Sequence, residues 1–205
     1  MSSSRTAERR GGRSPAAERI LDAAEPLVQL RGFNAVSYAD IAAALGVTTA
    51  SLHYHYRTKA TLGVALVERY TRRFTASLAA IDAVGGDAPA DLAAYVELYA
   101  SVLAGRRMCL CGVLAAEAET LPAAMRRAVV AFFDANEAWL ANVLACGREA
   151  GTLALDRSPA ETARALVGAL EGALLVARSH RDPGRFATAA DLLVAALTRP
   201  AAARR

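Results

Sequence analysis

Lysine is nearly missing from this chain: Lys59 is the only one, and arginine carries the rest of the positive charge. Cysteine is scarce too. Of the three present, Cys109 and Cys111 stand one residue apart, a number and spacing that exclude a disulfide framework. Aromatic residues are few and alanine dominates, which favours helix over strand. No strand-like alternation persists and no internal repeat is visible. No apolar run reaches the ~18 residues needed to span a bilayer. The nearest, residues 165–177, is interrupted by Glu171. Met1 to Ser14 has no apolar core of the kind a secretory signal needs. The C-x-C pair lacks a neighbouring histidine for a metal, no general base lies within sequence reach of it, and no loop is built to cradle phosphate. These absences predict an all-helical, soluble, cytoplasmic protein with no membrane partner, no cofactor, no metal and no catalytic residues.

What charge there is lies unevenly. The net charge is +4, and residues 1–75 hold 11 Lys and Arg against 6 Asp and Glu. The remaining residues are close to balance. A basic excess confined to the N-terminal third is the electrostatic footprint expected of a surface facing phosphate.

That third contains residues 37–59, S-Y-A-D-I-A-A-A-L-G-V-T-T-A-S-L-H-Y-H-Y-R-T-K. Ser37 suits an N-cap, with Asp40 placed to reach back as in a capping box. Ile41, Ala42 and Leu45 fall on one helical face. Gly46 suits the left-handed position after a helix, and Val47 is expected to re-enter the core. Thr48 or Thr49 then caps a second short helix through about Tyr56, and Thr58 a third that begins at Lys59. Two short helices crossed over a glycine turn form a helix-turn-helix, whose second helix can enter a DNA major groove. On its expected exposed side that helix carries Thr48, Thr49, Ser51, His53, Tyr54 and His55, with no acid among them. Hydroxyls and imidazoles can bond phosphate oxygens or base edges, and rings can touch thymine methyls. Lys59, in a first helical turn, would add its charge to free amide groups that favour a phosphate. A small satellite helix pair with polar caps would show the same pattern.

The stretch G-V-T-T-A-S-L-H-Y-H-Y-R-T-K-A-T-L resembles the recognition-helix signature of the TetR family of transcriptional regulators. Glu18 to Arg31, followed by Gly32-Phe33, resembles that family's first helix, and the likeness is dense over residues 15–70. It implies that Thr48, Thr49, Ala50, Ser51, His53, Tyr54, His55 and Lys59 face DNA while Leu52 and Tyr56 pack inward. Ala50 replaces a common Gly, His53 a commoner Tyr and Ala60 the usual Glu, departures that leave the base preference open.

Around this head the organisation reads as a disordered basic arm over 1–14, the helix-turn-helix domain over 15–60, a connecting helix over 61–84 and a ligand-binding and dimerisation domain over 85–200. Arg5, Arg9, Arg10 and Arg13 in the arm would suit a narrow minor groove, although a solvated tail has the same composition. Ser14-Pro15 starts the first helix, which Pro26 should bend. The connecting helix is expected from Lys59 to about Ile81, with Leu62, Ala65, Leu66 and Tyr70 inward, and residues 84–89 break the chain. Five more helices follow: Asp91 to about Ala104, Met108 to Thr120, Pro122 to about Ala150, an eighth ending near His180 and a ninth ending near Thr198. In the resembled family the last two helices pair with those of a second subunit. A two-fold dimer would present recognition helices about 34–36 Å apart and so require a roughly palindromic operator.

Two kinds of effector chemistry are readable. Cys109 follows Arg106 and Arg107 at an expected helix N-terminus, where positive charge and dipole would lower its pKa, and Cys111 could resolve an oxidised Cys109. The segment M-C-L-C-G-V-L-A-A-E resembles the G-C-L-x-x-x-L-x-A-E stretch of a TetR subgroup, one branch of which senses electrophiles and oxidants through the equivalent of Cys109. The competing reading, of two small buried hydrophobes, weighs heavier. A non-covalent small-molecule cavity is the stronger expectation, with Tyr95, Tyr99, Phe132, Phe133, Asn136, Trp139 and Glu171 as candidate walls. Each aromatic could equally be core. Glu171 stands out because a carboxylate inside an apolar face needs a partner, which Arg178, a tyrosine hydroxyl or a ligand could supply.

Overall fold

The computed structural model describes residues 13–198, so the expected arm over Met1 to Gly12 lies outside the described residues. Within them the chain is helical throughout, as α1 (Pro15–Arg31), α2 (Tyr38–Leu45), α3 (Thr49–His55), α4 (Lys59–Val84), α5 (Ala88–Leu103), α6 (Leu110–Ala116), a 3-10 turn (Ala118–Thr120), α7 (Ala123–Glu149), α8 (Pro159–His180) and α9 (Gly184–Thr198). No strand occurs among the described residues.

Local signals set most of the ends. Ser14, Ser37, Thr48, Thr58, Asp87 and Ser158 each accept a backbone N–H at the start of a helix. The first helix runs unbroken through Pro26. Asp87 starts α5 three residues earlier than expected, because Pro89 fits the first turn, where its missing N–H costs nothing. The sixth helix is shorter than expected: it opens after Cys109, which takes the N-cap position without capping, and gives way to the 3-10 turn at Ala118.

The first three helices form a small head on α4, whose far end joins α5–α9. At the centre of the body lies α7, packed against α4, α5, α6 and α8. By length and composition it is the one described helix apolar enough to cross a membrane. Arg126, Arg127, Asp134 and Glu137 interrupt its apolar run. Its inner face buries Met125, Val129, Phe132, Leu140 and Leu144, each at most 5% exposed. Burying a side chain of that size contributes about 1.5–3 kcal/mol, so this face alone anchors the body.

A candidate nucleic-acid interface and the cavity behind it

The head is fixed from its caps inward. Ser37 Oγ accepts from Asp40 N at 3.2 Å and Asp40 Oδ2 accepts from Ser37 N at 2.7 Å, a complete capping box. Arg31 adds a 2.9 Å ion pair to the same carboxylate. The Ser37 bonds, with Arg31 behind them, hold the Asp40 carboxyl well below the usual carboxylate range. Gly46 closes α2 in the left-handed conformation, at φ 66°. Val47 does not return to the core as expected. It is 40% exposed, because it sits on the rim of the turn just before the Thr48 cap and points past the edge of α2.

The third helix packs inward through Leu52, fully buried, and ends on buried Tyr56, whose hydroxyl reaches Ala17 O on α1 at 3.3 Å. Tyr38 donates to Tyr56 O at 2.7 Å, tying α2 to the end of α3. With Leu52 and Tyr56 turned in, Thr48, Thr49, Ala50, Ser51, His53 and Tyr54 are exposed and His55 is half-buried. Tyr54 is 84% exposed, with only the edge of His55 against its ring. A large aromatic left this bare on a rigid element is an unusual expense in solvent and a natural contact residue. His53 is less free: its ring lies 4.6 Å from that of Tyr38 and Nδ1 is 3.4 Å from Arg57 O. Lys59 is half-buried beside this face, with Nζ 4.5 Å above the Phe33 ring and 3.3 Å from Asn34 O. Burial pulls its pKa below the ordinary lysine value, against the pull of Glu117 and Asp40.

Two polar systems, neither picked out from the sequence, join head to body. Between α1 and α4, the almost fully buried Arg69 donates to Asp22 at 2.6 Å and to Glu25 at 2.8 Å. Arg73 donates to both Glu25 oxygens, at 3.0 Å to the one Arg69 also bonds and at 3.1 Å to the other. Charges interrupting the apolar faces of α1 and α4 were the available signal, the same one that marked Glu171. The second system surrounds the turn after α1. Glu117 accepts from Phe33 N at 2.8 Å and from Asn34 N at 3.3 Å, and Thr120 Oγ1 accepts from Asn34 Nδ2 at 2.7 Å. A glycine is needed at position 32 for this: φ is +85°, and a Cβ there would fall on the Glu117 carboxylate. Gln29 donates to Met108 O at 3.0 Å, and Arg178, near the end of α8, donates to Leu30 O.

The candidate effector residues divide into two groups. Tyr95, Tyr99 and Asn136 are buried and bonded to one another: Asn136 Oδ1 accepts from Tyr95 at 2.6 Å and Asn136 Nδ2 donates to Tyr99 at 2.9 Å. Phe74, Phe132 and Trp139 pack around them, with Trp139 stacked 5.5 Å from Tyr95 and bonded to Asp82 at 2.9 Å. Phe133 and Glu171 lie elsewhere, on a cavity of about 460 Å³ between the end of α1, α6, α7 and α8. Neither expected protein partner reaches Glu171: Arg178 is bonded to Leu30 O, and the tyrosines are bonded to Asn136. Both Glu171 carboxylate oxygens are shielded from solvent and accept no N–H or O–H, and the Cys109 thiol is their hydrogen-bonding neighbour. Burial raises its pKa to about 7.

The expectation of an acidified Cys109 thiol is corrected. Cys109 and Cys111 are buried, and burial pushes both thiols well above the free-cysteine value, with the Glu171 charge adding to it. Arg106 is exposed and Arg107 half-exposed, so water screens the charge that was to stabilise a thiolate. Tyr70 donates to Cys109 Sγ at 3.7 Å. Cys146, unremarked in the sequence, is the exposed thiol.

Known proteins agree with this geometry. Residues 20–66 match the bacterial regulatory proteins of the tetR family, and residues 88–193 the tetracyclin repressor-like C-terminal domain. Transcriptional regulator AcuR of Cereibacter sphaeroides is 29% identical over 157 residues, 75% of this chain and 72% of that protein. A TetR-family transcriptional regulator from Agrobacterium tumefaciens superposes with a TM-score of 0.87 at 31% identity, over 90% of this chain and 98% of its own. A TetR transcriptional regulator from Legionella pneumophila gives 0.82 at 29% identity, over 90% and 98%.

Proposed function

The chain belongs to the TetR family of DNA-binding transcriptional regulators, which are not enzymes, and from that premise we propose that it is a homodimeric, cytoplasmic repressor released from a palindromic operator by a small molecule. The observation that carries the DNA reading is the outer face of α3. It has no acid, presents Thr48, Thr49, Ala50, Ser51, His53, Tyr54 and His55, and has Lys59 beside it at the start of α4. The units expected from sequence are kept: head over 15–60, connector over 61–84, ligand and dimer unit over 85–200.

The dimer is assigned to α8 and α9. Leu175 and Leu192 are 59% and 66% exposed there, beside a shallow groove walled by Gly172, Ala173, Ala189 and Ala196. Small side chains between large apolar ones let a second helix pair approach closely, and an exposed apolar strip of this kind marks an interaction surface. The effector is assigned to reversible binding, since a buried thiol of raised pKa is a poor nucleophile.

The test is fluorescence anisotropy of the gene's upstream DNA with the full chain. Tyr54→Ala should weaken operator binding by tenfold or more, about 1.4 kcal/mol, while melting stays within experimental scatter because the side chain touches little. Lys59→Gln should weaken all sequences alike and flatten the salt slope by about one. Operator affinity unchanged by Tyr54→Ala would remove α3 as the reading element.

A further inference from the structure

We propose that the cleft where the ends of α1, α5 and α8 meet binds an organic phosphate, held by Arg106, Arg178 and Arg181. The binding follows from the cleft itself; its effect on the operator rests on the reading of the chain as a ligand-released repressor.

The cleft holds about 430 Å³, within the range of small-molecule sites, and Leu30 and Arg178 line both it and the apolar cavity beside it. Its apolar walls are Leu30, Leu103, Ala177 and Pro183. The three arginines that complete it have no carboxylate partner among the described residues. The guanidinium groups of Arg106 and Arg181 make no hydrogen bond or ion pair there, and that of Arg178 donates only to Leu30 O. Asp182, the one acid on the wall, is engaged elsewhere, accepting from Gly184 N at 3.0 Å and lying 3.7 Å from Arg185 Nε.

The backbone brings two of these side chains together at some cost. Helices α5 and α8 finish alike: Arg106 N donates to Leu103 O and Arg107 N to Val102 O, while Arg181 N donates to Arg178 O and Asp182 N to Ala177 O. Each ending puts an arginine in the left-handed conformation, at φ 56° and 55°, where glycine is the usual choice. No other non-glycine residue among the described residues has a positive φ, and both of these line the one cleft. Strain kept at two converging charges of one sign points to a ligand.

Basic groups at helix ends also offset the partial negative charge there, about half a unit for each helix. The ends of α5 and α8 together call for about one unit, and α1 has Arg31 in its own last turn. Three arginines therefore leave about two positive charges over, which a phosphoryl dianion matches and a carboxylate does not. The guanidinium fork also fits phosphate oxygens two at a time. The location suits regulation. The bond from Arg178 to Leu30 O joins α8 to the end of α1, and so the body to the head. A phosphoryl group that recruits Arg178 takes the donor from that carbonyl and loosens the joint.

The test is calorimetric titration of the full chain, without DNA, with phenyl phosphate, benzoate and inorganic phosphate. Phenyl phosphate should bind about tenfold or more tightly than benzoate, which lacks the second charge, and than inorganic phosphate, which lacks the apolar body. Arg106→Gly and Arg181→Gly separate binding from folding, because glycine suits both backbone positions. Each variant should melt at or above the wild-type temperature and yet lose about tenfold or more in affinity for phenyl phosphate. No binding of phenyl phosphate, equal binding of benzoate or of inorganic phosphate, or an affinity that survives both glycine variants would overturn the proposal. Operator binding is measured separately by anisotropy. Saturating phenyl phosphate should weaken it about fivefold or more in the wild type and leave it unmoved in Arg181→Gly. Calorimetric binding with operator affinity unmoved in the wild type would leave the site standing and overturn the release reading alone.

Discussion

Glu171 carries a prediction about stability. Its folded-state pKa, about 7, lies above the ordinary glutamate value because burial disfavours the charged form. A carboxyl shifted upward binds its proton more tightly in the folded chain than in the unfolded one. Its contribution is therefore fully present below the ordinary value and is lost as pH rises through 7. One pKa unit is 1.36 kcal/mol, so the folded protein should lose roughly 2.5 kcal/mol from this group between pH 5 and pH 8, most of it below pH 7. Glu171→Gln removes the titration and keeps the shape. The amide brings its own unsatisfied groups, but that offset is the same at every pH. The informative quantity is the difference between variant and wild type, which should move in the variant's favour by about 2.5 kcal/mol over that range. For a chain of this length that is a relative shift in Tm of roughly 5–10 °C. Melting curves of both proteins at half-unit pH steps measure it. Parallel Tm profiles would refute the assignment of a buried carboxyl with a raised pKa.

Two further outcomes follow from the same burial pattern. Native protein treated with iodoacetamide at pH 7.5 should lose one thiol quickly, and mass spectrometry should place the label on Cys146, with Cys109 and Cys111 modified only on unfolding; fast labelling of Cys109 would restore the reactive-thiol reading. Arg69→Met should leave Glu25 buried with Arg73 as its remaining partner, at a cost of about 3 kcal/mol; an unmoved urea midpoint would mean that Arg73 alone satisfies the carboxylate.

The parts legible in the sequence were those governed by neighbours within a few residues. Ser37 with Asp40, Gly46, and Thr58 before Lys59 set the ends of α2 and α4, period turned Leu62 and Leu66 inward, and the family resemblance placed Leu52 and Tyr56 there. What the sequence left open depended on elements distant in the chain. Tyr95 and Tyr99, four residues apart, had to share a face. Their surroundings are set by Phe74 and Trp139, brought in from α4 and α7. The Cys109 thiol was judged by its neighbours Arg106 and Arg107, but Glu171, 62 positions away, and the closing of the core set its environment. Glu171 itself was visible as a charge in an apolar run. Glu25 and Arg69 carry the same signal, as charges on the buried faces of α1 and α4.

Between the cavity and the DNA face lie few bonds, and their strengths suit regulation. A guest in the cavity between α1, α6, α7 and α8 would press on α6, whose far end leads into Glu117. The Glu117 carboxylate holds Phe33 N and Asn34 N, Asn34 O takes the Lys59 ammonium, and Lys59 opens α4 beside α3. A charge-assisted hydrogen bond contributes about 1.5–3 kcal/mol. A coupling free energy of about 1–3 kcal/mol changes affinity 5- to 150-fold. Loosening one of the Glu117 bonds would therefore be enough to give the release proposed above, with no large rearrangement. The α1–α4 pairing of Glu25 with Arg69 and Arg73 does the opposite task. It is more deeply buried and doubly bonded, so it would keep α1 and α4 together and make the head turn as one piece when the Phe33–Asn34 turn gives way.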